Sequence, residues 1–406
     1  MRTILPLAII ILVYILTGII FLYGFKKQII SKNKFWRMIF VWSDLLISAT
    51  IILVLLILYF IIRSSPNFIS LTRIFYAISF FLLFYIPKLL FVILFIFNEL
   101  IKFLINAVLI KNVKFRILTF LGFIISIFTF ITIVYGIIAG KNDFTVRNTE
   151  IYTDKIPKSF DKLKIVQISD IHIGSFYYNS DKLTKIVKII NNLNPDIVLF
   201  TGDLVNNFAE EADGFDSIFL KIKAPLGKFA VLGNHDYGDY TVWPTPEIKN
   251  INLSKIIFHY KAMGFNLLQN RSVIISNGKD SITIAGVDNW GLPPFRQYGD
   301  LQKTVENVSS RSFTIMLSHD PSYWNEEIQY SKKVDITFSG HTHGGQVGFE
   351  KFGIKWNLVK YRYPQCAGLY QNNQNYLYVN RGLGCIGFIG RIGIPPEITL
   401  IIIHKK

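Results

Sequence analysis

The first 140 residues contain four apolar runs, at about 4–24, 40–62, 74–97 and 117–139, each close to the roughly 20 residues a helix needs to cross a bilayer core. The first, Ile4 to Tyr23, has no basic flank beyond Arg2 and runs into Lys26-Lys27 instead of a small-residue cleavage site, so it reads as a span and not as a cleavable signal. The third contains Pro87-Lys88, which predicts a kink and a lysine that must pair or snorkel. The stretch 101–110 is too short to cross and is expected at the interface. Residues 1–140 are therefore expected to be an all-α membrane anchor. Apart from Asp44 and Lys88 these spans carry almost nothing ionisable, which favours anchoring over transport.

Charge supports this division. Residues 1–140 hold 13 Lys+Arg against Asp44 and Glu99, whereas the rest holds 30 Lys+Arg against 25 Asp+Glu. The net +16 is thus mostly a topology signal lying between apolar runs, and no nucleic-acid partner is expected. Lys26, Lys27, Lys32, Lys34 and Arg37 follow the first run, and Lys102, Lys111, Lys114 and Arg116 follow the third; only Arg63 and Arg73 lie between the second and third. With both basic loops in the cytoplasm, both termini and the C-terminal domain fall on the extracytoplasmic side. One miscounted span would reverse that assignment.

After Gly140 and a linker at about 141–160, the pattern over 161–406 becomes α/β. Lys164 to Ser169 and Asp196 to Phe200 read as buried strands around a helix whose apolar face is Leu183, Ile186, Val187, Ile190 and Leu193. Phe229 to Leu232, Phe313 to Leu317 and Asp335 to Phe338 read as further strands. Ser272 to Ser276 and Ser281 to Val287 flank Asn277-Gly278, a hairpin signal, and Tyr376 to Asn380 and Glu397 to Ile403 complete the set.

Each parallel-type strand is followed by polar residues of one character: Asp170-Ile171-His172, Gly202-Asp203, Gly233-Asn234-His235-Asp236, Ser318-His319-Asp320 and Gly340-His341-Thr342-His343-Gly344. Ligands of open α/β sheets bind outside the carboxyl ends of the strands, so these clusters can converge. They contain five of the seven histidines. Asp, Asn and His without Cys suit divalent ions of the Mn, Fe or Zn class, and seven ligands are too many for one ion but fit two that share a carboxylate. Gly202, Gly233 and Gly340 permit the sharp turns such a site needs.

DxH, GD, GNHD, SHDP and GHTHGG in this order resemble the calcineurin-like metallophosphoesterase superfamily, and NRGLG at Asn380 to Gly384 resembles its bacterial membrane-associated branch of YkuE- and YaeI-type phosphodiesterases. The resemblance covers about 160–403 and implies a four-layer α/β/β/α sandwich. It implies two divalent metal ions, one on Asp170, His172, Asp203 and His343, the other on Asp203, Asn234, His319 and His341, with Asp203 as bridge. It further implies attack on phosphorus by a metal-bridging hydroxide, with His235 protonating the leaving oxygen or stabilising charge on it. Asp236 is expected to orient a ligand histidine. Gly202-Asp203 is followed by Leu204-Val205-Asn206-Asn207 and lacks the arginine of the protein-phosphatase branch, which makes Arg381 a candidate for phosphate contact or, equally, a structural ion pair.

The expectation is a membrane-anchored hydrolase of a phosphodiester, pyrophosphate or phosphomonoester. Because only about 30 residues separate Gly140 from Asp170, its substrate is expected to be a lipid or lipid-linked. The resemblance also brings in UDP-diacylglucosamine-type pyrophosphates, which are cytoplasmic and stand against the topology above. A metal-binding, non-catalytic sensor on the same anchor is the alternative. Cys366 and Cys385 read as free thiols or, outside the cytoplasm, as a disulfide. Tyr240, Trp243, Trp290 and Phe295 could cap substrate, touch the bilayer or simply pack. Exact substrate and oligomeric state stay open.

Overall fold

The computed structural model describes residues 4–28, 34–64, 67–109, 114–176, 179–352 and 354–406. Two compact units emerge: Met1–Ser65 with Arg73–Ile137, and Pro66–Thr72 with Ile138–Lys406.

The N-terminal unit is built from α1 (Ile4–Gln28), α2 (Lys34–Ser64), α3 (Phe68–Leu109) and α4 (Ile117–Ile138). Among the described residues, three of these helices supply stretches long and apolar enough to span a membrane: Lys34–Ile61, Leu71–Val108 and Ile117–Asn142. Large apolar side chains such as Trp42, Leu46 and Phe128 are exposed on the helix faces, as expected where lipid is the solvent. One expectation needs correcting. The segment 101–110 is no separate interfacial piece; through Leu109 it continues α3, a helix of 42 residues, because no breaker separates it from the apolar run before it. Pro87 lies inside α3, where Ser126 Oγ of α4 donates to its carbonyl at 2.6 Å. Lys88 pairs with Asp44 of α2.

The C-terminal unit contains two six-stranded mixed sheets. The first has the order β1 (Thr145–Thr153), β14 (Glu397–Lys405), β2 (Leu163–Ile168), β3 (Ile197–Phe200), β4 (Lys228–Ala230), β5 (Asn266–Leu267). The second runs β12 (Gly368–Asn372), β13 (Asn375–Val379), β9 (Ile336–Ser339), β8 (Thr314–Leu317), β7 (Asp280–Gly286), β6 (Arg271–Asn277), and a separate hairpin is formed by β10 (Gly348–Lys351) and β11 (Ile354–Asn357). The region expected to be a linker thus carries β1, which pairs in parallel with β14 from Thr145↔Glu397 to Thr153↔Lys405.

Strand periodicity sorts the core into layers. Ile165, Ile197 and Leu199 point toward Ile284, Ile315 and Phe338 and fill the space between the sheets. Val166, Ile168, Val198 and Phe200 point the other way, onto Leu183, Ile186, Val187 and Ile190 of helix α5 (Ser180–Asn192) and onto Ile256 and Tyr260 of the helix Pro246–Ala262. Helix α5 starts where the Asn179 side chain accepts from Lys182 N at 3.3 Å, an N-cap. On the outer face of the second sheet, Ala285, Met316, Leu377 and Val379 pack on Tyr323 and Trp324. The result is the expected α/β/β/α order. β2, β3 and β4 are parallel in one sheet and β8 and β9 in the other, and the loops after all five carry the polar clusters.

Candidate metal centre

Five of the seven expected ligands take the left-handed backbone: Asp170 (φ 48°), His172 (40°), Asp203 (61°), His341 (70°) and His343 (51°). Each such residue costs of order 1–3 kcal/mol and persists only where its surroundings over-determine it. Here they do. Asp170 N donates to Gly202 O (2.9 Å) and His172 N to Asp203 O (3.1 Å), while His341 N donates to Asp170 Oδ1 (3.0 Å) and Oδ2 (3.1 Å). The loops also touch: a Cβ at Gly233 would lie 2.1 Å from Asp203 Oδ1, and one at Gly340 would lie 1.9 Å from Ser169 Oγ, so neither position admits another residue.

The turns bring all seven side chains together in two groups. In the first, His172 Nε2 and His343 Nε2 are 3.1 Å apart, and Asp170 Oδ1 is 3.4 Å from His343 Nε2. In the second, Asp203, His319 and His341 gather around Asn234, whose Oδ1 lies 3.0 Å from His319 Nε2 and 2.7 Å from His341 Nδ1. Asp203 Oδ2 joins them, 3.5 Å from His172 and 3.1 Å from His319.

Burial sets the charge states. It pushes His172 down to about 3 and His343 well below the ordinary imidazole range, so both are neutral bases. It raises Asp170 to about 7. His319 moves the other way: burial opposes its charge, but the Asp203 carboxylate wins and lifts it to about 10. Asp203 correspondingly sits well below the carboxylate range, burial being outweighed by His319 and His235. A neutral histidine pair with facing Nε2 atoms can share at most one proton, and the Val205 backbone draws the His172 proton to Nδ1, away from that pair. Such surplus lone pairs beside carboxylates are the donor set of borderline divalent cations, so the residues fit the expected metals.

His235 stands beside the groups. Its ring centroid is 4.9 Å from that of His172, its amide donates to Asp203 Oδ1 (2.9 Å), and its Nδ1 faces Asn206 O at 2.7 Å. That carbonyl fixes the proton on Nδ1 and leaves Nε2 as the titrating nitrogen.

One finer expectation fails, and one open alternative is decided. Asp236 does not orient a histidine. Its Oδ2 accepts from the amides of Asp203 (3.0 Å) and Gly233 (2.9 Å) and from Tyr260 OH (2.8 Å), its Oδ1 from the amides of Leu204 (2.9 Å) and Val205 (3.4 Å). It ties down the turn that presents Asp203. Arg381 is 1% exposed and bonds Glu350 and Glu397, so it is the structural ion pair and not a phosphate contact. Of the loop aromatics, Trp290 stacks on Tyr323 and Trp243 donates to Gly238 O, which is packing; Tyr240 and Phe295 flank the centre, 4.4 Å from the His235 ring and 5.1 Å from the His341 ring. Cys366 and Cys385 are buried free thiols.

Three further neighbours are Tyr240, whose hydroxyl accepts from Asn234 Nδ2 (2.7 Å), Tyr363, whose hydroxyl is 2.8 Å from His341 Nε2, and Asp320, 3.5 Å from the same nitrogen. Asp320 follows His319 and Tyr240 follows the GNHD cluster, so adjacency signals both; nothing near Tyr363 in the sequence does.

Comparison with known proteins agrees with this geometry. The family model "Calcineurin-like phosphoesterase" matches residues 163–345. A second, "Probable Calcineurin-like phosphoesterase, transmembrane domain", matches residues 1–141. The metallophosphoesterase YkuE of Bacillus subtilis is 32% identical over 273 residues, 66% of this chain and 88% of that protein. The chain belongs to the calcineurin-like phosphoesterases. A transmembrane protein with metallophosphoesterase domain from Danio rerio is 30% identical over 69% of this chain and 62% of its own length. UDP-2,3-diacylglucosamine pyrophosphatase LpxG of Chlamydia muridarum is 31% identical over 61% of this chain and 86% of its own length. This calcineurin-like phosphoesterase is therefore a multi-pass membrane hydrolase with two His/Asp groups able to hold metal ions.

Proposed function

We propose that this phosphoesterase hydrolyses a phosphodiester, pyrophosphate or phosphomonoester of a lipid or lipid-linked substrate on the extracytoplasmic face. The observation that carries the reading is the position of Asp203 Oδ2, within 3.5 Å of a histidine of one group and 3.1 Å of a histidine of the other, where one carboxylate can serve two cations. Asp170, His172, Asp203 and His343 would hold one ion, and Asp203, Asn234, His319 and His341 the other. When bound, two such ions acidify water and neutralise phosphoryl oxygens. The chain's own contribution is to keep His172 and His343 deprotonated by burial, to lock Asp203 in place through Asp236, and to hold His235 with Nδ1 fixed on Asn206 O, so that Nε2, which burial leaves unprotonated, passes on a proton to the leaving oxygen only after taking one up from solvent.

The lipid-linked class is supported by the membrane anchor and by the LpxG relative, whose name specifies a diacylated nucleotide sugar; such a substrate is cytoplasmic, so LpxG supports the lipid linkage and stands against the extracytoplasmic side. With α1 counted as a fourth span beside the three membrane-length stretches, the basic loops after α1 and α3 support the extracytoplasmic side.

The test is metal content and turnover on the full-length protein in detergent with Mn²⁺, using bis-p-nitrophenyl phosphate and p-nitrophenyl phosphate beside Asp203→Asn. The expected result is close to two ions per chain, diester cleavage, and loss of turnover by at least a hundredfold in the variant. Full metal content with no cleavage of either ester or of a lipid pyrophosphate would favour the sensor alternative, and absence of metal would end the proposal.

A further inference from the structure

The helices of the N-terminal unit line an open-sided pocket of about 300 Å³. Seven phenylalanines line it, among them Phe21, Phe40, Phe91 and Phe123, and its polar members are Asp44, Lys88, Ser43 and Ser126. An apolar, aromatic wall with a few polar groups is the usual make-up of a ligand site. Ionisable side chains inside a membrane bundle are retained where they serve a function, and this pair is buried, Asp44 at 8% and Lys88 at 7% exposure.

Lys88 Nζ bonds Asp44 and Ser48 Oγ (3.2 Å). An ammonium has three N–H groups. Among the described residues, what remains near the third is the ring of Phe21 at 5.5 Å and that of Tyr14 at 6.0 Å. An ester or phosphate oxygen entering the cavity is a stronger acceptor than either ring.

The cavity lies toward one end of the bundle, and that end is positive. Lys27 pairs with Glu99 at 2.8 Å, Phe25 stacks on Phe40 at 4.3 Å, and Asn98 Nδ2 donates to Phe115 O at 2.9 Å, which sets the end of α1 and the starts of α2 and α4 at one level. Exposed Lys26, Lys34, Arg37, Lys114 and Arg116 gather there. Phe21, Phe40 and Phe123 lie within about two helical turns of these charges. A lipid chain is already in hydrocarbon, so entering the cavity gains packing but no hydrophobic transfer, and the polar contacts decide which lipid is kept.

We propose that this unit binds one anionic glycerophospholipid, with its phosphate at the basic rim and part of an acyl chain among the phenylalanines. The site stands independently of the catalytic reading. The test is native mass spectrometry of the full-length protein in mixed micelles of phosphatidylglycerol and phosphatidylcholine. The wild type is expected to retain one phosphatidylglycerol, preferred at least tenfold. Ser126→Phe and, separately, Ile47→Phe fill the cavity and should each lower retention at least tenfold, with helicity by circular dichroism as the check on folding. Lys34→Gln with Arg37→Gln should erode the preference for the anionic lipid while a lipid is still kept. Retention of no lipid, equal retention of both lipids by the wild type, or unchanged retention in a folded filled variant overturns the proposal.

Discussion

Replacing Arg381 with Met separates the two roles the sequence left open for it. Its guanidinium bonds Glu350 through Nε (3.1 Å) and Nη2 (3.0 Å) and Glu397 through Nη1. The Glu397 side chain has no exposure and that of Glu350 has 6%. Removing one partner of such a pair leaves a buried charge uncompensated, typically at about 3–5 kcal/mol. Part of that is recovered, because Arg147 lies 2.9 Å from Glu350 and 3.6 Å from Glu397, and Tyr378 OH donates to Glu397 at 2.7 Å. The lower end, about 3 kcal/mol, is therefore expected, equivalent to roughly 6–12 °C in Tm for a unit of this size. Thermal unfolding followed by tryptophan fluorescence reads it, and Arg381→Met with Glu397→Gln should regain at least half, since the orphaned charge is gone. KM for a small diester should stay within twofold. A variant of wild-type stability whose KM rises tenfold would refute the argument and return Arg381 to the phosphate.

Asp236→Asn keeps the shape but turns an acceptor into a donor against at least two backbone amides, so metal affinity should drop about 10–100-fold, measured by competition with a chelating dye. Asp288 is raised to about 6 by burial, with Tyr237 and Lys303 lowering it, so the folded protein binds a proton that the unfolded chain has released. Its contribution to stability therefore falls as pH rises from about 4 to about 6, by on the order of 2–3 kcal/mol, and the difference in urea midpoint between wild type and Asp288→Asn should vanish at the acid end of that window. Exhaustive chelation should abolish ester cleavage and lower Tm, because the strained ligand turns lose the cations that bind only the folded state, and Mn²⁺ should restore both.

The candidate site was largely legible in the sequence because its residues are local to strand ends: each short apolar run announces its own exit, and the polar residues after it are the candidate ligands. What escaped depends on distant partners. β1 reads Thr-Val-Arg-Asn-Thr-Glu-Ile-Tyr-Thr, a half-buried strand whose neighbour β14 is at the other end of the chain, so nothing beside it marks it as sheet. Tyr363 reaches His341 only after the β10–β11 hairpin has folded out and back. Arg381 carried chemistry in either role, and only the burial of Glu350 and Glu397 decides between them. Helix α3 outruns the apolar stretch 74–97 because a helix goes on until something stops it, and apolar run length marks only the part that fits a bilayer.

The left-handed turns at the candidate ligands have a consequence for metal choice. Among residues with a Cβ, Asp, Asn and His are those that enter this backbone region most readily. At Asp170, His172, Asp203, His341 and His343 the chain thus imposes a conformational filter that admits oxygen and imidazole donors and disfavours cysteine or glutamate, independently of which ion arrives. A redesign toward soft, thiolate-loving ions by His→Cys exchange would meet resistance from the main chain before coordination chemistry was even tested. The polypeptide path itself keeps this centre to hard and borderline ions.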